Sequence, residues 1–279
     1  MHFAVTGSNG YVGRHIVNAL FKSGHAVTSI SRSRVDAHDG TSQLNFDILN
    51  SSPDVFERLG KPDVCIHAAW ENGFNHNHDS HIANVERHIA FMRNMIEGGL
   101  KHIVGIGTAH EIGYHVGAVT EFTPTNPINP YGIAKNYLQR VQKLLSDKHG
   151  ITQQWLRCYY ITGDDSKNQS IFGKILAAAA LGKKTFPLNS GEFLYDFIDV
   201  AELGELIAAV SSQNKVTGII NCSSGKAVSL KTKVQKFIAD NKLTMEPQWG
   251  EFPERAYDSK AIWGDTEKLN RALAALTSS

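Results

Sequence analysis

The chain has 279 residues, 42% hydrophobic, 20% charged and 9% aromatic, with 24 glycines. That is room for one large domain or a domain with a smaller companion, and the apolar share and modest charge exclude a disordered chain. Lys and Arg total 28 against 27 Asp and Glu, a net charge of +1, so no broad field exists to capture nucleic acid or an anionic membrane, and an acidic ligand must be held by local groups.

From the N-terminus, an apolar run over 3–6 leads into Thr6-Gly7-Ser8-Asn9-Gly10-Tyr11-Val12-Gly13 and a helical pattern over 12–22. Strand, glycine turn and helix in that order make a dinucleotide-binding start. Gly7 permits the turn, Gly10 lets the backbone approach a pyrophosphate at the helix N-terminus, and Gly13 allows close helix–strand packing. A second strand over 26–30 ends at Ser31-Arg32-Ser33-Arg34. An acidic residue here would take the ribose 2′-hydroxyl of NAD, whereas a guanidinium among hydroxyls suits a 2′-phosphate. NADP is therefore expected, with Arg32 the leading contact and Ser31, Ser33 and Arg34 as helpers; NAD is the alternative. Asp47 either holds the adenine amino group or forms a turn before a helix expected over 51–59.

A strand over 64–67 precedes the polar stretch Asn75-His76-Asn77-His78-Asp79-Ser80-His81. Its spacings match no trusted ligand set, so no metal is expected and it reads as a solvated loop. A helix over 81–96 and a strand over 102–106 lead to Thr108, whose hydroxyl suits a substrate carbonyl or alcohol. Pro130 opens a helix over 131–148 on which Tyr131 and Lys135, four apart, share one face. An ammonium beside a phenol favours the phenolate, lowering the tyrosine pKa, and the same lysine reaches ribose hydroxyls. Strands over 154–158 and 218–222 and helices over 170–181, 200–211, 230–240 and 266–276 complete the chain. Strands alternating with helices predict an α/β fold with a Rossmann-type doubly wound parallel sheet.

Cys65, Cys158 and Cys222 each fall in an expected strand and read as buried, reduced thiols. No charged start leads into an apolar run with a cleavage site, and the longest apolar run, 175–181, is far below the ~20 residues of a membrane span. A cytoplasmic protein is expected, with neither membrane nor nucleic acid as partner.

These residues together resemble the extended short-chain dehydrogenase/reductase family, of NAD-dependent epimerase/dehydratase type, in its nucleotide-sugar-modifying branch. The likeness extends through His67-Ala68-Ala69, Asn84-Val85, Leu156-Arg157-Cys158-Tyr159-Tyr160-Ile161-Thr162-Gly163 and Tyr195-Asp196-Phe197-Ile198-Asp199-Val200. It implies a cofactor domain over 1–165, rejoined by 194–226, and a small discontinuous substrate cap from 166–193 and 227–279. It also implies hydride exchange at a sugar carbon. Tyr131 is then the general acid/base, Lys135 lowers its pKa and holds the ribose, and Thr108 positions the substrate oxygen. Asn9, Tyr11 and Val12 join the three glycines around the cofactor, Ile48 stands beside Asp47, Ala68, Ala69 and Trp70 line it, and Asn84 supports it. Trp70, Thr108 and His110 face the substrate cleft. Ser170, Phe172 and Lys174 open the first cap helix, where nucleotide contacts fall in the family, and Arg255 is the candidate for the diphosphate. The family often dimerises through the helices over 81–96 and 131–145, so a homodimer is expected.

Two departures narrow the chemistry. Dehydratases of this branch carry an acidic pair directly after the threonine, and Ala109-His110 stand there instead, which argues against 4,6-dehydration. Tyr160 replaces the family's usual Asn. A reductase drawing NADPH from solution and an epimerase holding NAD remain. The 2′-phosphate pocket and a small cap favour NADPH-dependent reduction of a nucleotide-linked 4-keto-6-deoxy sugar. A non-catalytic dinucleotide sensor or scaffold has no need of Tyr131 and Lys135 and is the least favoured reading.

Overall fold

A computed structural model describes residues 1–33, 41–254 and 257–276. In chain order the elements are β1 (His2–Thr6), α1 (Gly13–Lys22), β2 (Ala26–Ser31), β3 (Ser42–Asn45), α2 (Val55–Arg58), β4 (Val64–His67), α3 (Ser80–Glu97), β5 (His102–Thr108), β6 (Val116–Val119) and α4 (Pro130–His149). There follow β7 (Thr152–Cys158), β8 (Tyr160–Thr162), α5 (Ile171–Ala180), β9 (Thr185–Pro187), β10 (Leu194–Asp199), α6 (Val200–Ser211), β11 (Gly218–Cys222), β12 (Ala227–Ser229), α7 (Leu230–Asp240), β13 (Glu246–Gln248), β14 (Ala261–Gly264) and α8 (Glu267–Ala274).

Seven strands pair in parallel in the order β11-β7-β5-β4-β1-β2-β3. Alternate side chains of each strand enter opposite layers. Phe3 and Val5 pack with Ile16 and Leu20 of α1 and Leu203 and Ile207 of α6. Ala4 and Cys65 face the other way, onto Ile89, Met92 and Met95 of α3 and Ala134 and Leu138 of α4. Each such fully buried aliphatic side chain contributes about 1.5–3 kcal/mol. The chain runs outward from β1 through β2 to β3, then returns to β4 on the far side of β1. That reversal opens a crevice at the carboxyl ends of β1 and β4, where doubly wound sheets take their ligands.

A second sheet, β12-β10-β14-β6 with β8 against β10, packs Tyr195 and Ile262 onto Ala109 and Tyr159, which directly follow β5 and β7. Its strands are short, and a buried carboxylate ties them to the following loop. Asp196, 0% exposed, accepts from the Ser224 and Gly225 amides and from the Gly264 amide. A further cluster of Phe172, Ile175, Leu188, Val234 and Met245 joins α5, α7 and the β9–β13 pair. The helix expected over 51–59 shrinks to Val55–Arg58, because Pro53 biases its predecessor away from the helical region. Among the described residues no helix is long and apolar enough to cross a membrane, and the three cysteines are free and buried.

Candidate active site

The glycine loop is built by close contact. Gly7 has φ +67°, and a Cβ there would lie 2.6 Å from the Ala69 Cα; a Cβ on Gly13 would lie 2.1 Å from the Gly7 carbonyl oxygen. Both positions therefore require glycine, and both bring α1 against the ends of β1 and β4. Ala69 is fixed further by its amide, which donates to the Thr6 hydroxyl at 3.2 Å. Val12 precedes helix α1 with no side-chain cap, and the first turn holds no acidic residue; the Arg14 and His15 amides donate to the Gly10 and Val12 carbonyls, which leaves the Val12 and Gly13 amides for an anion. These residues fit the pyrophosphate of a dinucleotide.

Other expected cofactor residues have local partners. The Asn9 amide donates to the Ser31 hydroxyl at 2.7 Å and the Ser33 carbonyl at 2.8 Å, tying the glycine loop to the end of β2. Tyr11 donates to the Gly163 carbonyl at 2.7 Å. Asp47 takes its turn-forming role: its carboxylate accepts from the Leu49 amide at 3.1 Å and the Asn50 side chain at 2.8 Å. Ile48 is 5% exposed and lies in the core under α3. Arg32, expected open to a 2′-phosphate, forms an ion pair with Glu71. The other Glu71 oxygen accepts from Asn84 Nδ2 at 2.9 Å. Arg34 lies outside the described residues.

The strongest chemistry lies where β5 ends beside the start of α4. Asn129 caps α4 by accepting from the Gly132 amide at 2.8 Å, and Pro130 occupies its first turn. Thr108 begins a reciprocal cap: its amide donates to Glu111 Oε1 at 2.7 Å, and its hydroxyl accepts from the His110 amide at 3.3 Å. The same hydroxyl hydrogen-bonds the Tyr131 phenol. Lys135, 3% exposed, donates to the Ile106 carbonyl at 2.8 Å and lies 3.9 Å from the Trp70 ring centroid. The expected lowering of Tyr131 by Lys135 is corrected here. Burial first, then Cys158 and Glu111, pushes the phenol up, and the Thr108 hydrogen bond alone pulls against them. Burial also lowers Lys135 to about 8. Desolvation of both groups outweighs their expected mutual effect.

Imidazoles surround this pair. Trp70 stacks on His88 at 4.5 Å between centroids and donates to His81 Nδ1 at 2.9 Å. His67 hydrogen-bonds Thr6 at 2.9 Å and His88 at 3.0 Å. Burial holds His67 well below the usual range and lowers His88 to about 3, so both are neutral near pH 7. The histidine-rich stretch is exposed at Asn75, Asn77, His78 and Asp79, as a solvated loop should be, and His76 and His81 anchor it at this site. His76 stacks on the Tyr131 ring at 5.2 Å, its carbonyl accepts from the Tyr131 amide at 3.0 Å, and His110 lies 4.0 Å from it. Among the described residues no group of three His, Cys, Asp or Glu is placed to hold a metal.

The expected substrate contacts divide. Trp70, Thr108 and His110 gather around Tyr131. Ser170 caps α5 by accepting from the Gly173 amide at 3.1 Å, and Lys174 is exposed. Phe172 is 2% exposed and fills the core between Phe197 and Phe237, since the helix turns that face inward. Arg255 lies outside the described residues.

The family model for NAD dependent epimerase/dehydratase proteins matches residues 3–223. The chain belongs to the NAD dependent epimerase/dehydratase family. It is 44% identical over 269 residues to a dTDP-6-deoxy-L-talose 4-dehydrogenase (NAD(+)) from Aggregatibacter actinomycetemcomitans, covering 95% of this chain and 99% of that protein. It is 26% identical to UDP-arabinose 4-epimerase 1 from Arabidopsis thaliana, covering 98% of this chain and 74% of that one. Its fold matches UDP-glucuronic acid 4-epimerase from Bacillus cereus, in complex with UDP-glucuronic acid and NAD, with TM-score 0.84 at 20% identity over 99% and 93% of the two chains. It also matches DesIV, a dTDP-glucose 4,6-dehydratase from Streptomyces venezuelae, with TM-score 0.82 at 18% identity over 99% and 91%.

As a member of this epimerase/dehydratase family, the protein is an enzyme of short-chain dehydrogenase/reductase type. Three residues of its site escape the sequence reading. Glu111 was legible in Thr108-Ala109-His110-Glu111, a T-x-x-E capping box. Glu71 and His76 carry no such signal, because their partners come from distant segments.

Proposed function

We propose that the enzyme interconverts the 4-hydroxyl and 4-keto forms of a nucleotide-linked 6-deoxyhexose, with NAD as its redox partner. The observation that carries this reading is the Thr108–Tyr131 hydrogen bond beside buried Lys135 in a chain 44% identical, nearly end to end, to an NAD(+)-dependent dTDP-6-deoxyhexose 4-dehydrogenase. Bound nicotinamide supplies the hydride exchange. Tyr131 passes the proton to or from the sugar oxygen, and Thr108 holds that oxygen in line. A phenol kept protonated by burial is the form that donates to the carbonyl oxygen when the 4-keto sugar is reduced. Ala109, His110, Asn129, Tyr160, Tyr257 and Ile262 line a small recess, and the hexose is proposed to lie against its mouth, beside Tyr131. Ala109 offers no titratable group there, which disfavours 4,6-dehydration.

The segments around α5, α7, β9 and β13 are proposed as the substrate cap. Exposed Ile133, Tyr137 and Leu144 on α4 support the proposed homodimer face. The test is to mix the protein with NAD and dTDP-linked 6-deoxyhexoses and follow NADH. Net NADH formation is expected; interconversion of C4 epimers with no net NADH contradicts the reading and favours an epimerase.

A further inference from the structure

The Arg32–Glu71 pair spans the cofactor crevice. Arg32 follows β2 and Glu71 follows β4, and the two strands flank β1. Neighbouring strands are about 4.8 Å apart, so the two strand ends stand roughly 10 Å apart, with the glycine loop between them. Glu71 and Arg32 close this gap with an ion pair. Each partner is held from its own side. Asn84 of α3 donates to the second Glu71 oxygen at 2.9 Å, and Asn9 of the glycine loop grips Ser31 and Ser33, the neighbours of Arg32.

On stability grounds the pair has little weight: the Arg32 side chain is 60% exposed, the Glu71 side chain 29%, and exposed pairs contribute little. Its consequence is the local charge. An arginine at the end of the second strand otherwise marks a pocket for a 2′-phosphate. Here a carboxylate touches that guanidinium, cancels its charge and presents a negative group to any phosphate that approaches it. Ribose hydroxyls, in contrast, carry no charge for that carboxylate to repel.

We propose that Glu71 sets the cofactor choice: by pairing with Arg32 it turns an arginine that would recruit a 2′-phosphate into part of a site that rejects one. The inference rests on the reading above that the crevice takes a nicotinamide dinucleotide. It makes Glu71, on the loop after the fourth strand, a specificity-determining residue.

The test is equilibrium binding of NADH and NADPH to the whole protein, wild type and variants, each checked by thermal melting. Wild type binds NADH more tightly. Glu71→Gln frees Arg32 and tightens NADPH about tenfold or more, the scale of relieving a like-charge contact, while NADH changes by less than about threefold. Glu71→Ala moves the NADPH-to-NADH ratio in the same direction. Arg32→Gln combined with Glu71→Gln gains less for NADPH than Glu71→Gln alone. A ratio in Glu71→Gln and Glu71→Ala within about twofold of wild type, below the scale of a lost charge contact, overturns the proposal and leaves the dinucleotide reading standing. So does a wild type that prefers NADPH. Failure of every variant and the wild type to bind either dinucleotide overturns both.

Discussion

Lys135 holds its ammonium 3.9 Å from the centroid of the Trp70 ring and donates to the Ile106 carbonyl at 2.8 Å, placing a buried cation one helical turn from Tyr131. Burial lowers its pKa from 10.5 to about 8. Between those values the unfolded chain binds the extra proton, so this lysine's contribution to stability is unfavourable below about pH 8 and is relieved as pH rises towards 10.5. The relief amounts to something on the order of 3 kcal/mol. The buried thiols work in the opposite sense, since burial raises Cys65 and Cys158 to about 12. The readout is therefore the unfolding free energy of wild type minus that of Lys135→Met, which should rise from pH 7.5 to pH 10 by about the relief just given. A constant difference contradicts the buried, charged lysine.

Tyr131→Phe removes the proton carrier and keeps the ring that His76 and Trp70 pack against. Turnover should fall by about a hundredfold to ten-thousandfold, with NADH affinity nearly unchanged. Thr108→Val should lower turnover less, because it removes the partner of the phenol and leaves the phenol itself. Steady-state rates beside NADH titrations separate these effects; equal loss of NADH binding in Tyr131→Phe would make the residue structural.

Glu111 and Arg157 are both 0% exposed and pair at 3.4 Å. Glu111 also accepts from the Thr108 amide and from Trp155 Nε1 at 2.9 Å. Glu111→Ala leaves a buried guanidinium uncompensated, at a cost of roughly 3–5 kcal/mol. Glu111→Gln keeps the acceptor and should cost less. Chemical denaturation of both variants checks the order, and equal midpoints would show that the acceptor offered to the Thr108 amide and Trp155 Nε1 adds nothing beyond the charge that both variants remove.

His102 is buried, hydrogen-bonds Gln154 at 3.1 Å and is lowered by burial to about 4. The unfolded chain binds its proton near 6.5. Stability from the neutral ring is thus complete above pH 6.5 and is lost as pH falls towards 4, by something on the order of 3 kcal/mol. His102→Gln, remote from Tyr131, should flatten part of the acid limb of a stability–pH curve. An unchanged limb would mean the ring is protonated in the folded protein.

The parallel sheet was legible because its strands are apolar runs between helices of the right period, and His2–Thr6, Val64–His67 and Gly218–Cys222 fall close to their expected places. The strands Tyr160–Thr162, Ala227–Ser229 and Ala261–Gly264 are too short to leave a periodic trace, and only their pairing defines them. Thr108, Tyr131 and Lys135 were readable from type and spacing. The state of Tyr131 was not: four-residue spacing places an ammonium near a phenol but says nothing of how deeply both are buried. Arg32 misled for a related reason, since its partner lies 39 residues away and reaches it only across the folded crevice.

Isotope transfer tests the central claim most directly. NADH dideuterated at nicotinamide C4 is incubated with the enzyme and a dTDP-linked 4-keto-6-deoxyhexose, and the sugar product is read by NMR and mass. The account predicts one deuterium at C4 of the sugar with equal consumption of NADH, and its loss in Tyr131→Phe. A C4-altered sugar carrying no deuterium, with no net oxidation of NADH, would contradict it.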